Sequence, residues 1–204
     1  MAVLLWIGSA QAARSDFSLR FEAAFNEGEG WLMTALVQEN LPVVAAEVEA
    51  LVAEALAPGT SRRDFERFFL MAERMASEFA YLTDDAGPLV KVRTSRFDAE
   101  LSEPARSEAV DGAHLVRATL TEKGFKVFAP DNIVIGRGET VRWVSEDGAE
   151  HRIVSVRTHG GAGGLSSPEI APGAAWEHRF DEPGSYYYVC VIHRTMFGKV
   201  TVEE

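Results

Sequence analysis

The sequence predicts a multidomain α + β chain, a small N-terminal helical bundle followed by an antiparallel β-sandwich. Two observations carry this prediction. From about Ser15 to Leu82 the apolar residues recur at a helical period. From His114 onward the period becomes two, and turn residues return roughly every eight to twelve positions. Between the two patterns, residues 83–112 are dominated by Asp84, Asp85, Gly87, Pro88, Pro104, Asp111 and Gly112, which reads as a linker with a short strand at 89–92. The expected order is an export segment at 1–13, a helical domain at 14–82, the linker at 83–112 and the sandwich at 113–204.

In the helical part, Thr60 and Ser61 cap a helix that places Phe65, Phe68, Phe69, Ala72, Met75 and Phe79 on one face. Pro42 sits in the first turn of another helix, with the stripe Val44, Val48, Leu51, Val52 and Ala55, and Pro58-Gly59 closes it. Gly28 and Gly30 interrupt the segment upstream. The sequence predicts two to four short helices packed around Trp31, Leu32 and the phenylalanines. A core this small is thin, so a homo-oligomer formed through these helices is one expectation. Met71 and Met75 lie four apart and read as core filler. This part contains no histidine or cysteine, and no chemistry is assigned to it.

Eight strands are expected in the second part, at 115–121, 126–128, 132–135, 140–145, 151–156, 175–180, 185–190 and 198–202. Gly136-Arg137-Gly138, Asp147-Gly148, the 160–164 glycine loop, Ala171-Pro172-Gly173 and Glu182-Pro183-Gly184 punctuate them.

The chain is 204 residues long with a formal net charge of −11, which offers nothing basic to track a nucleic acid backbone. The charge is uneven, −8 over residues 14–104 and −3 over 105–204, so a basic protein partner would be drawn mainly to the front half. The run Ala2-Val3-Leu4-Leu5-Trp6-Ile7-Gly8, followed by Ala10-Gln11-Ala12, has the apolar core and small-x-small form of a signal-peptidase site, although no basic residue precedes it. Export to the periplasm or beyond is expected. No later segment approaches the roughly 20 apolar residues of a membrane span.

Chemistry concentrates near the end, in Tyr186-Tyr187-Tyr188-Val189-Cys190-Val191-Ile192-His193-Arg194-Thr195-Met196. The single cysteine is followed three residues later by a histidine and three after that by a methionine. Thiolate, imidazole and thioether form a soft donor set suited to copper, and a trigonal blue-copper site also needs a second histidine. His151 is the candidate, on a separate strand. Parity puts Tyr186, Tyr188 and Cys190 on one face of their strand and Tyr187 and Val189 on the other. His114, His159 and His178 are expected to face solvent.

Residues 113–204 resemble the cupredoxins, the small blue copper proteins of the amicyanin, plastocyanin and pseudoazurin group. The resemblance rests on Phe128-Ala129-Pro130-Asp131-Asn132-Ile133, Gly138-Glu139-Thr140-Val141-Arg142-Trp143, Glu150-His151-Arg152-Ile153-Val154, Phe180-Asp181-Glu182-Pro183-Gly184-Ser185-Tyr186 and Phe197-Gly198-Lys199-Val200-Thr201-Val202. It implies a Greek-key sandwich holding one type 1 copper ion on His151, Cys190, His193 and Met196. The two-residue gaps on either side of His193 are similar to the short loop of amicyanin. Ile192 stands where the family often has proline, which frees an N–H for the cysteine sulfur. Arg152 stands where the family often has an asparagine joining the ligand loops, so their rigidity is less assured.

The implied function is electron transfer through Cu(II)/Cu(I), with a redox protein such as a c-type cytochrome or a dehydrogenase as partner. The alternative is a copper-carrying or partner-binding module in which the helical domain mediates interaction. An enzyme is not expected, because Val189 and Val191 flank Cys190 where copper oxidases and nitrite reductases carry histidines toward a second copper. The dinuclear site of cytochrome oxidase would need a second cysteine.

Overall fold

The structure is a computed structural model describing residues 14–107, 109–156, 164–193 and 195–204. The expected export segment and His159 lie outside the described residues. The chain forms two compact units, one ending at Leu89 and the other spanning Val90–Glu204.

The first unit holds α1 (Asp16–Glu27), α2 (Gly30–Glu39), α3 (Leu41–Ala55) and α4 (Arg62–Thr83). Their ends are set by local chemistry. Ser15 caps α1 by accepting from the Ser18 N–H, and Gly28 ends it in the left-handed conformation at φ 71°. Ser61 caps α4 by accepting from the Asp64 N–H. Pro42 lies in the first turn of α3, whose predicted stripe is buried in full. On α4 the buried face is Phe69, Met71, Ala72, Met75 and Ala76, with Phe65, Phe68 and Phe79 only partly covered. Trp31, expected at the centre, is 73% exposed.

The expected linker is corrected by α5 (Gly87–Glu100), which also replaces the short strand at 89–92. The residues read as turn signals are its start: Asp85 accepts from the Gly87 N–H at 2.8 Å, and Pro88 occupies the first turn. Val92 is its one buried residue, so no apolar stripe announced it.

The second unit is a two-layer sandwich of β1 (Ala105–Arg106), β2 (His114–Leu120), β3 (Lys126–Ala129), β4 (Asn132–Gly136), β5 (Thr140–Ser145), β6 (Ile153–Ser155), β7 (Ala175–Arg179), β8 (Gly184–Cys190) and β9 (Phe197–Glu203). One sheet has the order β1-β4-β9-β8-β6 and the other β3-β2-β5-β7. Both are mixed rather than purely antiparallel, since β1/β4, β4/β9 and β2/β5 pair in parallel. Alternation in a sequence sets which face is buried, not which way the neighbour runs. Val116, Val141 and Trp143 from one layer and Ile133, Tyr188 and Val200 from the other form the core, and Cys190 and Met196 belong to the same buried cluster. His151 lies just before β6, fixed by an isolated bridge to Ile170.

Tyr187 points to the outer face of β8 by parity, yet it is 5% exposed. Its cover is α5, where Phe97 packs at 6.0 Å between ring centroids and Asp98 accepts from the phenol at 2.7 Å.

Candidate metal centre

Two loops at one end of the sandwich build the site. The first joins β5 to β6. Asp147 folds it by accepting from the Ala149 N–H at 3.0 Å, and Ser145 donates to the Ala149 carbonyl at 2.7 Å. The bridge to Ile170, with bonds of 3.0 and 2.7 Å, then holds the His151 backbone. The second loop joins β8 to β9. Met196 N–H donates to the His193 carbonyl at 2.9 Å, and Cys190 N–H to the Met196 carbonyl at 3.0 Å, closing a tight turn around His193. Val191 N–H donates to the Arg152 carbonyl at 2.9 Å. A backbone bond therefore joins the two loops where the sequence suggested weaker support.

These loops bring His151, Cys190 and His193 together. Their donor atoms all lie within 4.8 Å of one another, and Cys190 Sγ is 3.7 Å from Nδ1 of each histidine. An ion about 2.0 Å from nitrogen and about 2.3 Å from thiolate sulfur, with angles between tetrahedral and trigonal, needs a separation of about 3.5–3.7 Å. The donor set fits a thiophilic transition metal, and two imidazoles with one thiolate suit copper. His151 and Cys190 are buried, and His193 is half-buried. Met196 is 1% exposed. The N–H that approaches the sulfur is that of His193 at 3.4 Å, rather than that of Ile192.

Two residues at the site were not expected from the sequence. The Asp147 side chain is inaccessible, with Oδ1 at 2.9 Å from His151 Nε2 and Oδ2 accepting from Lys126 Nζ at 2.6 Å. Burial alone would raise its carboxyl, but hydrogen bonds from Lys126, His151 and the Ala149 N–H outweigh it and hold the group down at about 2. A carboxylate there accepts a hydrogen bond from Nε2–H, a tautomer that leaves the Nδ1 lone pair facing the sulfur. The signal in the sequence was an acid four residues before a candidate ligand, inside a pair read only as a turn.

His193 has its pKa lowered, chiefly by burial and then by repulsion from His151 and Lys126. Val191 and Ile192, at 46% and 45% exposed, flank it at the surface. The other described histidines lie elsewhere. His114 is buried rather than solvent-facing, 2.9 Å from Glu139, because β2 begins beside the Gly136–Glu139 turn. His178 is half-buried, stacked on Trp176 and edge-on to Phe180.

A two-layer mixed sandwich with a His-Cys-His cluster at one rim defines a cupredoxin-like metal-binding domain. Comparison with known proteins agrees. The family model described as copper binding proteins of the plastocyanin/azurin family matches residues 116–203. Plastocyanin of Scenedesmus fuscus is 37% identical over 90 residues, covering 40% of this chain and 92% of its own. Amicyanin of Paracoccus denitrificans is 29% identical over 99 residues, covering 48% of this chain and 72% of its own. Among solved structures, a purple cupredoxin from Nitrosopumilus maritimus superposes with a TM-score of 0.37 at 32% identity, covering 44% of this chain and 98% of its own. The chain belongs to the plastocyanin/azurin family of copper binding proteins, and copper is the cofactor its donor set fits.

Proposed function

We propose that the chain is a one-electron carrier in which His151, Cys190, His193 and the thioether of Met196 would hold one type 1 copper ion. The observation that carries this reading is the 3.7 Å spacing of the sulfur from both imidazole nitrogens in a buried pocket fixed by backbone bonds. When bound, copper supplies the Cu(II)/Cu(I) couple. The protein's part is to change little between the two states. The Met196–Cys190 and Val191–Arg152 bonds fix the loops, Asp147 fixes the His151 ring, and the His193 N–H supports the thiolate.

His193 is the ligand nearest solvent, and Val191 and Ile192 give it an apolar collar. A small apolar contact suits the brief docking of electron-transfer encounters, with a c-type cytochrome or a dehydrogenase as partner. We read the chain as a carrier rather than an enzyme because Val189 and Val191 flank Cys190. The apolar run before residue 13 supports action outside the cytoplasm. Among the described residues no helix is long and apolar enough to cross a membrane.

Voltammetry of the copper-loaded full chain tests the proposal. A reversible one-electron wave with the metal retained over repeated cycles is expected. Loss of the ion on reduction, or a metal that cannot be reoxidised in place, would favour copper carriage instead.

A further inference from the structure

The loop that carries Cys190, His193 and Met196 is the tip of the β8–β9 hairpin, where Val189 pairs with Phe197. Cores fix the inner faces of these strands, but an outward face is ordinarily solvated. Here α5 crosses it. Tyr187 on β8 and Lys199 on β9 are register partners, and both bind one carboxylate. Asp98 accepts from the Tyr187 hydroxyl at 2.7 Å through Oδ2 and from Lys199 Nζ at 2.8 Å through Oδ1. The Lys199 ammonium also lies 4.9 Å from the Tyr187 ring centroid. One residue earlier, Phe97 packs on Tyr187 of one strand and on Phe197 of the other, with ring centroids at 6.0 and 5.2 Å. Phe197 directly follows Met196. The family model begins only at residue 116, so this helix is an addition to the matched sandwich.

We propose that Phe97 and Asp98 are positioning residues for the metal loop, a latch that clamps both strands of the ligand hairpin and keeps Cys190 and Met196 in register. A hairpin held on its inner face alone opens by splaying at the tip, where the Cys190-to-Met196 backbone bond breaks first. A side-chain clamp across both strands opposes that motion, and Asp98 binds one partner from each. The proposal rests on the copper reading for its spectroscopic readout and on geometry alone for its exchange readout.

The test compares the full chain with its Phe97→Ala and Asp98→Asn variants. In metal-free protein, hydrogen exchange at the Cys190 amide is expected to quicken about tenfold in each variant, while the Trp143 amide in the other sheet keeps its rate. In copper-loaded protein, release of Cu(II) to a chelator is expected to quicken about tenfold and the thiolate-to-copper band to shift. Unchanged exchange at Cys190, or equal acceleration in both sheets, would overturn the latch and leave α5 a general stabiliser. Asp98→Asn keeps side-chain volume and decides the matter if Phe97→Ala does not fold. A wild-type chain that gives no thiolate-to-copper band would defeat the copper reading, while the exchange comparison would still decide the latch.

Discussion

Replacing Gly198 with alanine should be among the most damaging single-methyl changes in the sandwich. A Cβ at this position would lie 2.4 Å from the Tyr188 hydroxyl oxygen, 2.5 Å from its Cζ and 2.8 Å from the Asp131 carbonyl oxygen. None of these atoms yields easily. Tyr188 is fully buried, its ring held edge-on by Trp143 at 5.5 Å and by Phe128 at 5.2 Å. The Asp131 carbonyl is fixed by the Lys199 N–H at 2.7 Å. Overpacking of a rigid core costs about 1–3 kcal/mol, and contact with both a trapped ring and a backbone oxygen points to about 3. At roughly 2.1 cal/mol/K per residue, a unit of about 115 residues would lose about 12 °C in Tm. The assay is thermal unfolding of the metal-free chain followed by the near-ultraviolet dichroism of the Trp143–Trp176 stack. Adding Tyr188→Phe removes the nearest clash and should restore about 1 kcal/mol as a coupling term. A loss below about 0.5 kcal/mol for Gly198→Ala would refute the packing argument.

Asp147→Asn should destabilise the metal-free protein by roughly 2 kcal/mol near neutral pH, from the linkage of its depressed carboxyl. The folded group titrates at about 2 against 3.8 ordinarily, so its contribution is full above the ordinary value and lost as pH falls through about 2. Denaturant midpoints of the two proteins should therefore converge on acidification, and a pH-independent gap would contradict the assignment. By NMR in metal-free protein, His193 should protonate below the ordinary imidazole value because burial and His151 disfavour its cation. That lowering means some stability disappears as pH drops through the ordinary imidazole range. A His193 midpoint at or above that value would show the pocket to be open. In the first unit, Ser61→Ala removes the oxygen that accepts from the Asp64 N–H at 3.1 Å. It should cost about 1 kcal/mol by chemical denaturation, and no change would mean that the cap is idle.

The proposed metal loop was legible because its candidate donors are close in the chain. Cys190, His193 and Met196 fall within seven residues, so residue type and spacing were enough to propose them, and the structure brings Cys190 and His193 to 3.7 Å of each other. His151 was found through the strand it was expected to begin and the family that strand resembles; the structure starts β6 two residues later, at Ile153, and sets the His151 Nδ1 3.7 Å from the sulfur. Asp147 was not found, because its role depends on a fold that seals it beneath Lys126. α5 was missed for a related reason. Helix caps and loop turns use the same residues, and Asp85, Gly87 and Pro88 suit both. A helix that covers a sheet through Phe97 and a carboxylate needs no apolar stripe. His114 looked exposed because Glu139, its partner, is remote in sequence. Trp31 looked buried only because large aromatic residues usually are.

The most direct test of the central claim is the optical and electron paramagnetic resonance spectrum of the full chain loaded with one equivalent of Cu(II). The account predicts an intense thiolate-to-copper band and the compressed hyperfine splitting of a trigonal site, with both abolished in Cys190→Ser. A pale protein with an ordinary tetragonal signal, unchanged by removing the cysteine, would contradict it.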